Sequence, residues 1–134
     1  MTSTELFDQL AALELADGEY AVFGSGPLAI RGLIDDPADL DVLCRGASWE
    51  RIEEFGTIKA LDDGSKIVSI DGGRLTFGRS WAYGAFDVDE LIDTAEVIGG
   101  LPFVLMKHVV AYKRIRSSDR DRVHLELIGR AGLS

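Results

Sequence analysis

Two aspartates separated by one leucine, Asp39-Leu40-Asp41, begin a short run of strand-forming residues. In an extended strand alternate side chains point to the same face, so Asp39 and Asp41 share one face while the neighbouring apolar residues point to the core. Two carboxylates this close repel each other unless positive charge lies between them, and a divalent cation is the usual source of that charge. The pattern therefore predicts a metal site, and the alternative is a pair of solvated acids at a strand edge.

A glycine-rich turn, Gly24-Ser25-Gly26, precedes this pair and follows the apolar run 20–23. The turn leads into Pro27, and the residues from there on are typical of a helix start. Backbone N–H groups at a helix N-terminus attract phosphate, so the turn is a candidate phosphate cradle. A tight strand-to-helix turn would need the same glycines and is the alternative. A phosphate cradle beside a carboxylate pair suggests nucleotide chemistry.

The composition is ordinary for a globular protein, with 46% hydrophobic and 28% charged residues among 134. This length predicts a single domain, residues 1–134, that buries a real core. No apolar stretch approaches the roughly 18–20 residues that span a bilayer, and the first residues lack the regions of a signal peptide. The single cysteine, Cys44, is expected in the core, which excludes a disulfide framework. We expect a cytoplasmic protein that does not bind membranes.

The charge is unevenly distributed along the chain. The formal net charge of −9 argues against general affinity for nucleic acid. The segment 107–130 is nevertheless basic, with seven Lys or Arg residues against three acidic ones. Such a division would suit a metal–triphosphate complex held between the acidic pair and the basic segment, and the alternative is a solvated helix face.

Hydrophobic periodicity and turn residues predict an α+β architecture, a mixed sheet with helices packed against it and helices at the C-terminus. The predicted helices cover residues 4–15, 27–33, 49–55, 87–94, 103–116 and 118–128. The predicted strands cover residues 19–23, 39–44, 57–61, 66–70, 74–78 and 95–98. The last three strands before residue 79 are expected to form an antiparallel meander, with hairpin turns at Asp63-Gly64 and Asp71-Gly72-Gly73.

Helix ends and faces follow from local patterns. Thr2 and Ser118 have capping-box spacing with an acidic residue three positions later, Ser48 is a predicted N-cap, and Pro102 is predicted to open the longest helix. The expected buried stripe of that helix is Leu105, His108, Tyr112 and Ile115. On the same helix Lys113 is a candidate nucleotide contact, with a solvated lysine as the alternative. The aromatic loop containing Trp81 and Tyr83 could line a base pocket or pack on the sheet.

At Val22-Phe23-Gly24-Ser25 and Asp39-Leu40-Asp41-Val42 the chain resembles the nucleotidyltransferase superfamily, which has a polymerase-beta-like fold. The family signature is an apolar strand ending in Gly-Gly or Gly-Ser, a helix, and a strand bearing Asp-x-Asp. The stretches 101–114 and 119–121 look like the C-terminal helices of minimal bacterial members, including the abortive-infection and toxin-type nucleotidyltransferases. The resemblance covers most of the chain and is strongest over residues 20–44.

The resemblance implies transfer of a nucleoside monophosphate from a nucleoside triphosphate to a hydroxyl. Asp39 and Asp41 would be the catalytic carboxylates and would hold Mg²⁺ or Mn²⁺, while Gly24 and Ser25 would bind the nucleotide through a terminal phosphate. The acceptor could be RNA, a protein or a small molecule.

One departure from the family pattern concerns a third carboxylate, which active members carry on a later central strand. Thr76 stands where that acid should fall, and Ser69 is the equivalent residue in an alternative register. Neither carries negative charge, so a second metal ion should bind weakly. The alternative hypothesis is therefore a degenerate member that no longer catalyses and works through a protein partner. The net acidity of the chain would suit a basic partner. An unrelated α+β domain is the third possibility.

Overall fold

The computed structural model of the protein describes residues 2–60, 66–79 and 86–133. The described helices are α1 (Ser3–Ala12), α2 (Gly26–Ile30), α3 (Gly46–Phe55), α4 (Val88–Asp93), α5 (Met106–Arg116) and α6 (Asp119–Arg130). The described strands are β1 (Tyr20–Phe23), β2 (Leu40–Cys44), β3 (Thr57–Ala60), β4 (Lys66–Ile70), β5 (Leu75–Gly78), β6 (Glu96–Ile98) and β7 (Leu101–Phe103). The predicted hairpin at Asp63-Gly64 and the aromatic residues Trp81 and Tyr83 lie outside the described residues.

The strands form one mixed sheet in the order β3-β4-β5-β2-β1-β7-β6. The β3-β4-β5 half is the antiparallel meander that the turn residues predicted. At the centre, β2 runs antiparallel to β1 and parallel to β5, while β1 runs parallel to β7. The predicted α+β class with a mixed sheet is therefore confirmed. In the described part of the chain, no helix is both long enough and apolar enough to cross a membrane.

Each face of the sheet has its own core because side chains alternate along the strands. On one face, Leu40 and Val42 of β2 pack with residues of α1 and α3. On the other face, Phe23 and Leu43 pack with residues of α2, α4, α5 and α6. Asp41 lies between Leu40 and Val42 in the strand, so its side chain points to the same face as Leu43, where the C-terminal helices pack.

The region around Pro102 differs from the prediction. Leu101–Phe103 is a strand, and α5 begins only at Met106. Gly99 and Gly100, both at positive φ, connect β6 to β7, and the N–H of Val104 donates to the carbonyl of Val22 at 2.9 Å. The pairing with β1 extends the chain past Pro102, and such long-range pairing is not visible in local periodicity.

Two further predictions about helix ends and faces are wrong. Ser48 is not an N-cap, because α3 begins at Gly46 and the Ser48 hydroxyl donates to the carbonyl of Ala16. The predicted stripe of α5 is also rotated, since Ile115 is 62% exposed while Val109 and Val110 are buried. The capping box of Ser118 and the cap at Thr2 are confirmed, although α1 ends at Ala12 rather than residue 15. Cys44 is buried in the core as predicted.

Candidate functional site

The glycine turn after β1 brings its backbone against the carboxylate of Asp41. Gly24 has a φ of +63°, and a Cβ atom built on it would lie 2.7 Å from Asp41 Oδ2. A methyl group at that distance overlaps the oxygen, and a positive φ disfavours any L-residue with a side chain. Gly24 therefore serves two requirements at once: the turn itself and the close approach of Asp41.

Asp41 and Asp39 lie close enough to interact. Burial raises the pKa of Asp41 to about 6, and the negative charge of Asp39 acts in the same direction. In the described part of the chain, no donor hydrogen-bonds the Asp41 carboxylate and no cationic nitrogen lies within 4.0 Å of it. This carboxylate is thus partly removed from water without a direct partner.

Three cationic side chains from the C-terminal helices act on Asp41 at longer range. The charges of Arg116, Arg120 and Lys113 all lower the pKa of its carboxyl, against the larger effect of burial. Part of the basic segment noted in the sequence therefore lies near enough to Asp41 for its charges to act on that carboxyl. A ligand that carries both a cation and several negative charges would be complementary to this arrangement.

Ser25 is buried beside this space, with 5% of its surface exposed. It occupies the N-cap position of α2, yet its side chain makes no capping hydrogen bond. Its Oγ instead accepts a hydrogen bond of 3.1 Å from Nη2 of Arg120. No sequence motif predicted a role for the Arg120 side chain, and the signal for it was the excess of basic residues over 107–130.

Lys113 is fully buried, so the alternative of a solvated helix lysine is wrong. Its Nζ lies 3.0 Å from Nδ1 of His124 and 3.6 Å from Oδ1 of Asp121. Burial lowers the pKa of Lys113 to about 8, and the charge of Asp121 opposes that shift. Because a protonated lysine can only donate, His124 accepts at Nδ1 and is neutral. The structure brings Lys113 to the site, but its amine is held by internal partners.

Asp121 joins the two C-terminal helices. Its carboxylate receives two hydrogen bonds from Arg116, at 2.6 and 2.7 Å, and two from the N–H and hydroxyl of Ser118, at 3.1 and 2.7 Å. Burial alone would raise the pKa of Asp121, but the hydrogen bonds from Arg116 and Ser118 outweigh it and lower the pKa well below its usual range. Asp121 is therefore a buried, charged and fully partnered group.

Thr76 lies directly opposite Asp41 in the parallel β2–β5 pairing, and Ser69 lies opposite Thr76 in the next pair. The two positions proposed for a third acid are thus neighbours on the sheet, and both are uncharged. Among residues 2–60, 66–79 and 86–133, no group of three or more His, Cys, Asp or Glu side chains could hold a metal ion. Two carboxylates, those of Asp39 and Asp41, could hold one divalent cation whose other ligands would come from outside the protein.

No model of a known protein family matches this chain, and no curated protein matches it in sequence. Its fold is similar to a crystal structure described as that of a putative nucleotidyltransferase from Thermotoga maritima. The TM-score is 0.61, and the match covers 97% of this chain and 96% of the other. Sequence identity over the match is 15%. The likeness therefore extends over the whole architecture with little sequence in common.

Proposed function

Because the chain has the nucleotidyltransferase fold, we propose that it binds a nucleoside triphosphate with one divalent cation. We further propose that it transfers the nucleoside monophosphate to a hydroxyl group. The observation that carries this proposal is the position of the Asp41 carboxylate. It lies against the Gly24 turn, and the charges of Asp39 and of three cationic side chains act on it.

In this proposal Asp39 and Asp41 hold Mg²⁺ or Mn²⁺. Magnesium is commonly bound by one or two carboxylates together with substrate phosphates, which matches a two-acid site. The ion would neutralise charge on the phosphate oxygens during transfer. It would also relieve the repulsion from Asp39, which adds to the larger effect of burial in raising the pKa of Asp41.

The protein's own residues would contribute positioning and charge. An oxygen of the acceptor hydroxyl forms a bond to the α-phosphorus, the bond from that phosphorus to the bridging oxygen breaks, and pyrophosphate leaves. The hydroxyl proton passes to solvent. Negative charge grows on the leaving pyrophosphate, where Arg120 and the field of Arg116 and Lys113 would stabilise it. The hydroxyl of Ser25 would donate to a phosphate oxygen.

A second candidate function is nucleotide binding without transfer, in a protein that acts through a protein partner. Thr76 supports it, because this uncharged residue stands opposite Asp41 where a third carboxylate would complete a two-metal site. With one ion instead of two, the attacking and leaving oxygens would not both be stabilised by metal.

Calorimetric titration of nucleoside triphosphates, with and without Mg²⁺, tests the binding step. We expect Asp39→Asn and Asp41→Asn each to weaken Mg²⁺-dependent binding by about tenfold or more, since each removes a charged ligand of the ion. Asp35→Asn is the matched control, because it removes the same charge from an exposed loop residue. Equal binding by the wild type and both site variants, or no binding at all, would contradict the proposed site.

Pyrophosphate release from nucleoside triphosphates tests the transfer step. The leading proposal expects release by the wild-type protein in the presence of a suitable hydroxyl acceptor. If the wild type binds nucleotide without release, and Thr76→Asp gains release, the second candidate is favoured over the first. Nucleotide binding by the variant must be measured in parallel, so that a folding defect is recognised.

A further inference from the structure

We infer that Arg120 is a phosphate-binding residue of this site, paired with Ser25, and that Lys113 acts on the ligand only through its field. The inference rests on the proposed function for the identity of the ligand, a triphosphate. It assigns a direct phosphate contact to a residue of α6, a helix far in sequence from the Gly24-Ser25 turn. It also moves the nucleotide contact expected at Lys113 to a different side chain.

The guanidinium of Arg120 reaches the glycine turn. Arg120 lies in the first turn of α6, and its Nη2 reaches Ser25 Oγ at 3.1 Å, across 95 residues of sequence. The same side chain is near enough to Asp41 for its charge to act on that carboxyl. Arg120 is an exposed residue that at the same time contacts a buried hydroxyl of the turn.

Asp121 already engages the other two cations, Arg116 and Lys113. Arg116 donates twice to its carboxylate, and the buried Lys113 is held between Asp121 and His124. Drawing either cation toward a ligand would weaken the pairing of a buried carboxylate, which is costly. In the part of the chain that the structure describes, no carboxylate oxygen lies within 4.0 Å of the Arg120 guanidinium. Arg120 can therefore bind an anion without disrupting a salt bridge.

The helix turn that carries Arg120 is preorganised. The Ser118 hydroxyl accepts from the N–H of Asp121, and the Asp121 carboxylate accepts from the N–H of Ser118. These bonds fix the first turn of α6, and the double contact with Arg116 ties that turn to α5. A side chain on a fixed turn loses less entropy on binding than one on a mobile loop.

The chemistry of the contact favours phosphate. A guanidinium and a serine hydroxyl offer several donors, and phosphate presents acceptor oxygens in the geometry that an arginine fork matches. Anchored beside the acidic pair, the same ligand can share a cation with Asp39 and Asp41. The subsite would thus hold the phosphates beyond the one that reacts, and the site would prefer triphosphates to monophosphates.

Calorimetry with inorganic tripolyphosphate in the presence of Mg²⁺ tests this contact without a base or a sugar. We expect Arg120→Gln to weaken its binding by about 10- to 100-fold, the range for losing a charge-assisted hydrogen bond. Arg122→Gln is the matched control, because Arg122 is an exposed arginine of the same helix turn that pairs with Asp119. It should change the dissociation constant by less than about twofold. Arg120→Lys should recover part of the affinity, since it keeps the charge and loses the fork.

The outcomes separate this inference from the proposed function. If Asp39→Asn weakens binding while Arg120→Gln and Arg122→Gln both match the wild type, the subsite is wrong and the metal site stands. If Arg120→Gln weakens binding while Asp39→Asn does not, the metal site is wrong and the subsite stands. A wild type that binds no tripolyphosphate contradicts both. Urea unfolding of each variant shows whether Arg120 acts only as a structural tether, in which case stability falls and affinity does not.

Discussion

Asp41 at the centre of the sheet and Asp121 at the junction of α5 and α6 are two carboxylates in opposite situations. Asp121 is fully buried, and Arg116, Ser118 and Lys113 satisfy its charge. Asp41 is partly buried and has no such direct partner among the described residues, and its nearest acidic neighbour, Asp39, opposes its ionisation. Hydrogen bonds lower the pKa of Asp121, whereas burial raises the pKa of Asp41.

Asp121 has a structural role in the fold, whereas the Asp41 carboxylate is not engaged by a direct partner among the described residues. A buried charge whose partners are all internal has nothing left to offer a ligand. A charge that is partly buried without a partner costs free energy, and a cation from solution can recover that cost. The comparison makes opposite predictions for the two residues, because removing one charge should destabilise the protein and removing the other should stabilise it.

Asp121→Asn should have the largest effect. The substitution leaves Arg116 and the buried Lys113 without their negative partner, and we expect the free energy of unfolding to fall by about 3 kcal/mol or more. Urea unfolding at pH 7 measures it. Asp119→Asn, in the same turn but fully exposed, should change stability by no more than about 0.5 kcal/mol. Similar changes in the free energy of unfolding for the two variants would contradict a structural role for Asp121.

His124→Gln should change how the free energy of unfolding depends on pH. Burial first, and then the charges of Lys113 and Arg120, lower the pKa of His124 to about 4. The unfolded chain takes up this proton near pH 6.5 and the folded chain does not, so the wild type should lose about 2–3 kcal/mol between pH 6.5 and 4. The variant should lack this contribution. Asp41 titrates in the same interval with the opposite sign, and the difference between the two proteins isolates His124. Parallel curves would contradict the prediction.

Asp41→Asn should stabilise the protein while removing a proposed ligand of the ion. The amide has nearly the same shape but carries no charge to bury and does not repel Asp39, so we expect a gain of about 1–2 kcal/mol in unfolding free energy. The measurement is urea unfolding at pH 7.5 with EDTA present. Asp35→Asn again serves as the control and should be neutral. A loss of stability in Asp41→Asn would show that the carboxylate has a stabilising partner.

Local sequence patterns predicted much of the fold, but little of the contacts that the C-terminal helices make at the candidate site. Alternation along β2 correctly separated Asp41 from the core residues Leu40 and Val42. The capping box of Ser118 followed from residues three apart. Such features depend on neighbours in sequence, which is why they could be recognised without a structure.

Features that depend on distant partners were missed. The burial of Lys113 requires Asp121 and His124 from the next helix, and helical periodicity by itself places a lysine in solvent. The contact between Arg120 and Ser25 joins residues 95 positions apart. The strand at Pro102 likewise depends on pairing with β1. A charge count indicated the basic segment but not which of its cations pair with Asp121.

The smallest effect should come from Gly24→Ala, and it tests whether the turn is built around Asp41. Gly24 and Gly72 have nearly the same φ, +63° and +66°. A Cβ on Gly24 would lie 2.7 Å from Asp41 Oδ2, whereas one on Gly72 would have nothing within 4 Å. Both alanines bear the same cost of positive φ, so the difference between the variants isolates the clash.

We expect Gly24→Ala to be less stable than Gly72→Ala by about 1 kcal/mol, because the carboxylate can move aside at moderate cost. Urea unfolding of the two variants measures this difference. The movement should matter more for binding than for folding, since displacing a charged ligand of a cation changes the geometry on which affinity depends. Gly24→Ala should therefore weaken Mg²⁺-dependent triphosphate binding, while Gly72→Ala leaves it unchanged. Equal binding by the two variants would mean that the approach of the turn to Asp41 has no part in holding a ligand.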